Sequence, residues 1–280
     1  MAQKISRKSF LGGVAALTGY STLQPFMPKD NTPWESDKPG YQLGLASYTT
    51  REFSLDDTIA MAKRVGLLNI GLKSMHMPLD ASEEEIKRLA KKVRDAGLNL
   101  YAAGVIYMKS ADKVTNAFNY AKAAGIEVII GVPDHDLLPQ VNELVKKTNI
   151  KVAIHNHGPG DSLYSSVNDV NKLIKDLDSR VGFCIDIGHV VRINEDPAAM
   201  ILKYHERLYD LHLKDETENN ADGTPVEIGR GVIDIPAVLK ALKKVKYRGF
   251  AAIEYEKDGQ DPLPGLAESA GYIHGVLKML

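Results

Sequence analysis

The sequence alternates eight times between a short apolar stretch and an amphipathic stretch with helical spacing, from residue 41 to residue 280. The apolar stretches are hydrophobic on both faces, which is typical of parallel strands that are buried on both sides. Regular alternation with brief loops indicates βα units rather than a sandwich. Eight such units in a chain of 280 residues predict a single (β/α)8 TIM barrel.

The apolar runs predict strands over residues 41–49, 67–73, 98–106, 126–132, 151–157, 181–186, 208–214 and 249–255. Helices are predicted over residues 54–65, 82–97, 111–124, 137–147, 167–177, 197–205, 236–245 and 266–280. Ser82 and Glu85 have the spacing of a capping box at the start of the second helix. The polar residues 215–231 are predicted to be a loop. An open doubly wound sheet is the alternative, but Thr49-Thr50-Arg51 stands where its glycine-rich loop would follow the first strand.

The first 33 residues differ in composition from the rest and form a separate predicted segment, 1–33, ahead of a barrel domain over 34–280. A basic start with Lys4, Arg7 and Lys8 precedes a small, apolar stretch and then a polar, proline-containing one. This order is that of a secretory signal and predicts export to the periplasm. If the segment is not a signal, the alternative is a frayed extension on a cytoplasmic protein.

Charge and composition narrow the classes of partner. The net charge is −1 and there is no basic stripe with interleaved aromatic residues, so the sequence offers no basis for nucleic-acid binding. No apolar run reaches the 18 or so residues of a membrane-spanning helix. The one cysteine, Cys184, lies in a predicted strand and is interpreted as a small buried hydrophobic residue. A homo-oligomer is compatible with the sequence.

Polar residues stand at the ends of four consecutive predicted strands, the fifth to the eighth: His155, Asp186, His212 and Glu254. The carboxyl ends of barrel strands form one rim, where such barrels do chemistry. Each residue alone has a structural interpretation as a hydrogen-bonded neighbour or a helix cap. A glutamate in an apolar strand is harder to explain in that way, because a buried unpaired carboxylate is costly. Two imidazoles and two carboxylates therefore predict a site for one divalent ion such as Mn²⁺, Co²⁺, Fe²⁺ or Zn²⁺.

Further polar residues lie near the same rim and are candidates for substrate contact or proton transfer. Strand alternation places His157 on the face of His155, and Lys214 on the face of His212. The full set of these candidates is Lys73, His76, His157, His189, Arg192, Lys214 and Glu256. For each of them a solvated surface role is the competing interpretation.

Four short strings in fixed order resemble the xylose isomerase-like barrel family: Ala153-Ile154-His155-Asn156-His157-Gly158, Cys184-Ile185-Asp186-Ile187-Gly188-His189, Leu211-His212-Leu213-Lys214-Asp215 and Ile253-Glu254-Tyr255-Glu256. The resemblance covers about residues 41–280. It implies metal ligation by His155, Asp186, His212 and Glu254, and substrate contact by His189. Ketose epimerases of this family usually have a glutamate at the position of His155, and many relatives have one at that of Gly71.

The resemblance implies a metal-dependent sugar or keto-sugar isomerase or epimerase. Glu254, His189 or Lys214 would remove a proton next to a carbonyl group. Because His155 replaces one of the two glutamates that exchange the proton in epimerases, a lyase or dehydratase acting on keto-sugars or 3-keto-glycosides is the alternative. A non-catalytic sugar-binding barrel is the alternative of another class. The expected partner in each case is a small sugar.

Overall fold

The computed structural model describes residues 40–280, and in these residues eight parallel strands close into a barrel. The strands in chain order are β1 (Gln42–Ala46), β2 (Asn69–Leu72), β3 (Asn99–Met108), β4 (Val128–Pro133), β5 (Lys151–His155), β6 (Val181–Asp186), β7 (Leu208–Leu213), the hairpin strands β8 (Asp215–Glu216) and β9 (Pro225–Val226), and β10 (Phe250–Ile253). The barrel consists of β1–β7 and β10, each beside its chain neighbours, with β10 pairing to β1. The prediction of a single (β/α)8 barrel is confirmed.

Nine helices in the described part of the chain follow or accompany the strands: α1 (Leu55–Arg64), α2 (Glu83–Asp95), α3 (Ala111–Ala124), α4 (Leu138–Thr148), α5 (Val167–Ile174), α6 (Ile187–Arg192), α7 (Pro197–Tyr204), α8 (Ile235–Lys244) and α9 (Leu263–Leu277). None of these helices combines the length and the apolar character needed to cross a membrane. The predicted signal segment 1–33 lies outside the described residues, so export and the domain start at residue 34 remain predictions.

Serine side chains fix the starts of several helices. Ser54, Ser82, Ser110 and Ser166 each accept a hydrogen bond from the backbone N–H three residues on, which satisfies a donor that has no partner inside the helix. The predicted capping box at α2 is half formed, because Glu85 pairs with Arg88 instead of reaching back to Ser82. Gly125 ends α3 with a φ of 63°, which favours glycine.

The structure differs from the predicted elements mainly at the rim. The first strand ends at Ala46 and becomes a 3-10 turn over Ser47–Thr50. The short helix α6, which was not predicted, follows β6 directly and is capped by the Asp186 side chain. The predicted loop 215–231 contains the hairpin β8–β9. Each of these differences lies where a barrel strand ends.

Two hydrophobic clusters contain most of the buried apolar residues of the described chain. The larger one fills the space between the strands and the surrounding helices. The smaller one contains Tyr101, Ala102, Val128, Ile130, Ala153 and Cys184. Cys184 and Asp186 point to the same side of β6, as do Ala153 and His155 on β5, so the smaller cluster is the floor beneath the rim residues. Cys184 is fully buried, as predicted, and burial raises the pKa of its thiol.

Candidate metal centre and active site

The four predicted ligands lie at the carboxyl ends of neighbouring strands. His155 and Asp186 are the last residues of β5 and β6, His212 is next to last in β7, and Glu254 follows directly after β10. The strand register pairs Asp186 with His212 and Cys184 with His155. The rim of the barrel therefore brings together residues that are up to 99 positions apart in the chain.

One atom of each residue points to a common centre, and these four atoms lie within 4.8 Å of one another. Nε2 of His155 is 3.3 Å from Nδ1 of His212 and 3.5 Å from Oδ2 of Asp186. Nδ1 of His212 is 3.0 Å from Oε2 of Glu254 and 3.7 Å from Oδ2 of Asp186. None of the four side chains is more than 5% exposed, so water does not solvate them individually.

The side chains present fit a divalent cation. Two ring nitrogens and two carboxylate oxygens converge in a buried position. Oδ2 of Asp186 is buried and makes no well-formed hydrogen bond; the Lys214 ammonium lies 3.1 Å away, and the oxygen retains a lone pair for a cation. A mixed set of nitrogen and oxygen donors suits a borderline ion such as Mn²⁺, Co²⁺, Fe²⁺ or Zn²⁺.

The two carboxylates of the centre are ionised. Burial by itself would raise the pKa of Asp186, but His189, Lys214 and the two ligand imidazoles outweigh it and hold the pKa well below its usual range. Burial likewise opposes ionisation of Glu254, and Lys214 and His212 overcome it, so the Glu254 pKa is also well below normal. Both side chains are thus in the form that binds metals.

The two ligand histidines have different electrostatic surroundings. Burial lowers the pKa of His155 to about 3, so this ring is neutral. Burial alone would also lower the pKa of His212, but Cys184, Glu254 and the aspartates on either side raise it well above normal. Because a metal ligand must be deprotonated, an ion would replace the proton of His212.

Lys214 is the cation that the structure already places in this centre. Its Nζ is 2.9 Å from Oε2 of Glu254 and 3.1 Å from Oδ2 of Asp186, and it also pairs with Glu256. The side chain is 4% exposed. Burial opposes its charge, but the three carboxylates outweigh burial and raise the pKa well above normal, so Lys214 is a fixed positive charge. Lys214 and Glu256, both predicted at the rim, are brought to the centre.

His189 lies beside the centre on α6. Its Nε2 is 3.9 Å from Oδ2 of Asp186, while its backbone N–H donates to Oδ1 of the same residue. Its Nδ1 is buried and has no hydrogen-bond partner. A Cβ atom at Gly158 would lie 3.1 Å from that nitrogen, so the glycine leaves room beside it. Burial lowers the pKa of His189, which leaves a neutral imidazole next to the candidate metal ligands.

Other predicted residues form the wall around the centre. The ring of His157 is 4.8 Å from that of His155, and its Nε2 is 3.0 Å from the hydroxyl of Tyr107. Nζ of Lys73 is 3.9 Å from the centre of the Tyr48 ring. Burial lowers the pKa of Lys73, with Glu254 acting in the opposite direction. Arg192 lies farther out, at the end of α6, and donates to the carbonyl of Ala221 at 3.0 Å.

His76 is not brought to the centre. Its Nδ1 lies 3.0 Å from the hydroxyl of Ser47, and its Nε2 lies 3.0 Å from that of Thr58. The ring is 4% exposed, and burial lowers its pKa. Both ring nitrogens are therefore occupied by protein groups, one in the turn after β1 and one on α1.

Two buried acidic residues near the centre, Asp210 and Glu216, were not among the candidates predicted from the sequence. Asp210 lies beneath His212, with Oδ2 3.4 Å from Nε2 of the imidazole, and accepts a hydrogen bond from Tyr101. Glu216 is 2% exposed on β8, within the segment predicted to be a loop. A signal for both was present, because residues 210, 212, 214 and 216 alternate along one side of an extended chain.

The family model described as xylose isomerase-like TIM barrel matches residues 59–275. The chain therefore belongs to the xylose isomerase-like TIM barrel family, as its four strings predicted.

Individual relatives share less than 30% sequence identity with this chain. An inosose dehydratase of Clostridium tetani (strain Massachusetts / E88) is 29% identical over 138 residues, which is 43% of this chain and 45% of the relative. The chain thus spans about half the length of the curated relatives it matches. A structure of L-ribulose 3-epimerase has a TM-score of 0.70 at 17% identity and covers 85% of this chain and 95% of its own. A structure of IOLI protein with a bound zinc atom has a TM-score of 0.70 at 16% identity, covering 85% and 98%. At such identities the two structures support the fold.

Proposed function

We propose that this protein is a divalent-metal-dependent lyase that acts on sugars carrying a carbonyl group. The proposed reaction removes a proton next to the carbonyl and expels a substituent from the carbon beyond it. The observation that carries the proposal is the convergence of His155, Asp186, His212 and Glu254, together with the charged Lys214, at the catalytic end of a barrel.

The four residues would hold the ion, and Lys214 and His189 would carry out the remaining steps. A bound divalent ion would polarise a substrate carbonyl and so acidify the neighbouring C–H bond. Lys214, whose positive charge is fixed by three carboxylates, would stabilise negative charge that develops on the substrate oxygen. His189 would take the proton, since its ring is neutral and its Nδ1 is free of protein partners.

The ligand set favours elimination over epimerisation. Epimerisation by the two-glutamate mechanism needs a carboxylate on each face of the substrate, and His155 stands where one of them is expected. A neutral histidine in the ligand set does not return a proton from the opposite face. The similarity to curated inosose dehydratases agrees with a lyase. Isomerisation and epimerisation, the first expectation from the sequence, begin with the same proton removal and differ only in the product.

Solvent deuterium exchange tests the proposal. Purified protein is incubated in D₂O with a panel of keto-sugars and 3-keto-glycosides, with and without Mn²⁺, Co²⁺ or Zn²⁺. We expect metal-dependent deuterium incorporation next to the carbonyl and release of the aglycone from the glycosides. Exchange with a rearranged sugar and no release would identify an isomerase or epimerase. An absence of exchange across the panel would rule out the proposed chemistry.

A pair of histidine variants distinguishes the enzyme from a non-catalytic sugar-binding barrel. His212→Ala removes a candidate ligand, whereas His274→Ala changes an exposed histidine on α9 and serves as the control. We expect loss of bound metal and of exchange only in His212→Ala. Sugar binding that is the same in both variants, with no metal in the unchanged protein, would favour the binding barrel.

A further inference from the structure

Glu216 is a buried carboxyl group that the fold leaves without a complete set of partners. The residue is 2% exposed, and its Oε2 is buried and makes no hydrogen bond. It lies on β8, two residues beyond Lys214 and four beyond His212 in the same extended run. An unsatisfied buried carboxyl is rare in folded proteins and calls for a physical reason.

The backbone around Glu216 is held firmly, so the lack of a partner is not relieved by loop movement. The Asp215 carboxylate accepts hydrogen bonds from the backbone N–H groups of Glu216, Gly229, Gly231 and Ile233, at 2.8–3.1 Å. The carbonyl of Glu216 accepts from the N–H of Val232 at 2.9 Å. Asp215 thus organises the loop, and Glu216 is presented from a fixed position.

The position of Glu216 borders the metal centre. A Cβ atom added at Gly188 would be 2.7 Å from Oε1 of Glu216 and 3.1 Å from Cδ of Lys214. Both side chains therefore pack against Gly188 in the first turn of α6. Lys214 continues from there to Asp186 and Glu254. Glycine at 188 is what allows Glu216 to approach this closely.

A cleft lies between the end of α6 and the tip of the hairpin that carries Glu216. The hairpin runs beside α6, with its tip tied to the helix end by the bonds from Arg192 to Ala221 (3.0 Å) and from Asn219 to Asn194 (3.3 Å). The cleft has a volume of about 610 Å³ and is lined by Pro159, Arg192, Ile193, Asn194, Asn219, Asn220 and Ala221. A helix rises 1.5 Å per residue, so the cleft begins roughly 9 Å beyond Asp186. A substituent that extends from a sugar at the metal centre outward along α6 would reach this cleft.

Burial favours the protonated form of Glu216, and the charges around it act in both directions. Burial raises its pKa to about 7, with Lys214 and Arg192 acting against this shift and Asp186 and Glu256 adding to it. Lys214 follows directly after β7, Arg192 ends α6, Asp186 ends β6, and Glu256 lies in the segment after β10. A carboxylic acid of this strength holds a proton that it can release near neutral pH.

We infer that Glu216 is the general acid that protonates the leaving group, a role that rests on the proposed lyase function. The C–H bond next to the carbonyl breaks, and its proton passes to the base. Its electron pair forms the new C=C bond, and the C–O bond to the leaving group breaks with its electrons going to oxygen. That oxygen takes the proton of Glu216, so the products are an enone and an alcohol, and solvent reprotonates the carboxylate. No oxidant or reductant is required.

Leaving-group dependence tests this role. The substrates are 3-keto-glucosides with alcohol leaving groups that range from 4-nitrophenol, a good leaving group, to methanol, a poor one. General-acid catalysis is worth about 10²–10⁴-fold where the leaving group needs a proton. We expect Glu216→Gln to lower kcat for the methyl glycoside by about 100-fold or more. The 4-nitrophenyl glycoside should lose about 5-fold or less, because its oxygen leaves without a proton.

The controls separate this role from structure and from the proposed function. Glu218→Gln, an exposed change on the same hairpin, should leave both substrates unaffected. In Glu216→Gln the deuterium exchange next to the carbonyl and the metal content should persist, because the acid acts after proton removal. If Glu216→Gln lowered kcat equally for the methyl and the 4-nitrophenyl glycoside, Glu216 would not be the general acid. The lyase proposal would be unaffected by that result. An absence of exchange in the unchanged protein would overturn the lyase proposal and this role with it.

Discussion

The two carboxylate oxygens of Asp186 have different roles, and each faces a different nitrogen of His189. Oδ1 accepts the backbone N–H of His189 at 3.0 Å and so caps α6. Oδ2 faces the metal centre, 3.9 Å from Nε2 of the same histidine. Within the four residues of the Asp-x-Gly-His string, Asp186 ends a strand and caps the next helix. Asp186 and His189 are also the two candidate site residues of the string.

The two roles of Asp186 can be separated by substitution. Asp186→Asn keeps an oxygen for the cap and loses the charge, whereas Asp186→Ala loses both. Removal of a ligand should weaken metal binding by about 100-fold or more in each variant, more than loss of an outer-shell partner does. Only the alanine variant should lose an additional ~1 kcal/mol of unfolding free energy in EDTA.

Metal titration and urea unfolding check this prediction. Asp234→Asn and Asp234→Ala are the matched controls, because Asp234 is an exposed cap on α8 and lies outside the metal centre. Unchanged metal affinity in Asp186→Asn would contradict its assignment as a ligand.

Lys214 and a bound metal ion should both balance the negative charge of Asp186 and Glu254. Lys214→Met leaves Asp186 and Glu254 buried without their ammonium partner, which should lower the free energy of unfolding by about 3–5 kcal/mol in the metal-free protein. A divalent ion restores positive charge there, so the rise in Tm on adding Mn²⁺ should be larger in the variant than in the unchanged protein. Thermal unfolding with EDTA or Mn²⁺ measures both effects.

Lys172→Met is the control for that experiment, because Lys172 forms an exposed pair with Asp169. Its Tm should change little with or without metal. A metal-dependent rise in Tm that is equal in Lys214→Met and the unchanged protein would show that the lysine and the ion do not share a role.

Asp215 should contribute to stability out of proportion to its position in a loop. Asp215→Ala leaves four backbone N–H groups without their acceptor, and we expect a loss of about 3 kcal/mol in unfolding free energy. Asp222→Ala on the exposed part of the hairpin should change it by less than about 0.5 kcal/mol. Urea denaturation compares them, and a loss of under 1 kcal/mol for Asp215→Ala would argue against its organising role.

Glu216 should make stability depend on pH in a predictable direction. Its pKa is raised from 4.5 to about 7 in the folded protein, so the folded state holds a proton that the unfolded state releases between these values. Stability contributed by this proton is present below pH 4.5 and is lost as the pH rises toward 7. Glu216→Gln removes this loss, so its advantage over the unchanged protein should grow by up to about 3 kcal/mol across that interval.

Urea unfolding of the metal-free protein at a series of pH values measures this difference. Glu218→Gln is the exposed control and should show no comparable trend. A constant difference between Glu216→Gln and the unchanged protein from pH 4.5 to 8 would mean that the carboxyl group titrates normally.

Export remains a prediction from residues 1–33. The basic start and the apolar stretch after it should direct the chain out of the cytoplasm. Fractionation of the native host, with antibody detection, should find the protein in the periplasm. Detection in the cytoplasm alone would favour the frayed-extension alternative.

The sequence predicted most of this molecule because barrel strands and helices are local patterns. Strand β6 and helix α3 begin and end where the apolar periodicity indicated. The four candidate ligands could be named because each stands at the end of an apolar run. Helix α6 was missed because its start depends on a side chain, Asp186, that also reads as the end of a strand.

What the tertiary structure decided is which polar residues meet. His76 and Lys214 were both predicted from the sequence as rim candidates. In the structure His76 is bonded to two hydroxyl groups, whereas Lys214 pairs with three carboxylates. Glu216 appeared to belong to a solvated loop until the hairpin buried it beside Gly188. Periodicity along a chain determines which face a residue occupies, but burial and electrostatic partners depend on segments far apart in sequence. The sequence by itself therefore determined the barrel and its rim, and only closure of the barrel determined the centre.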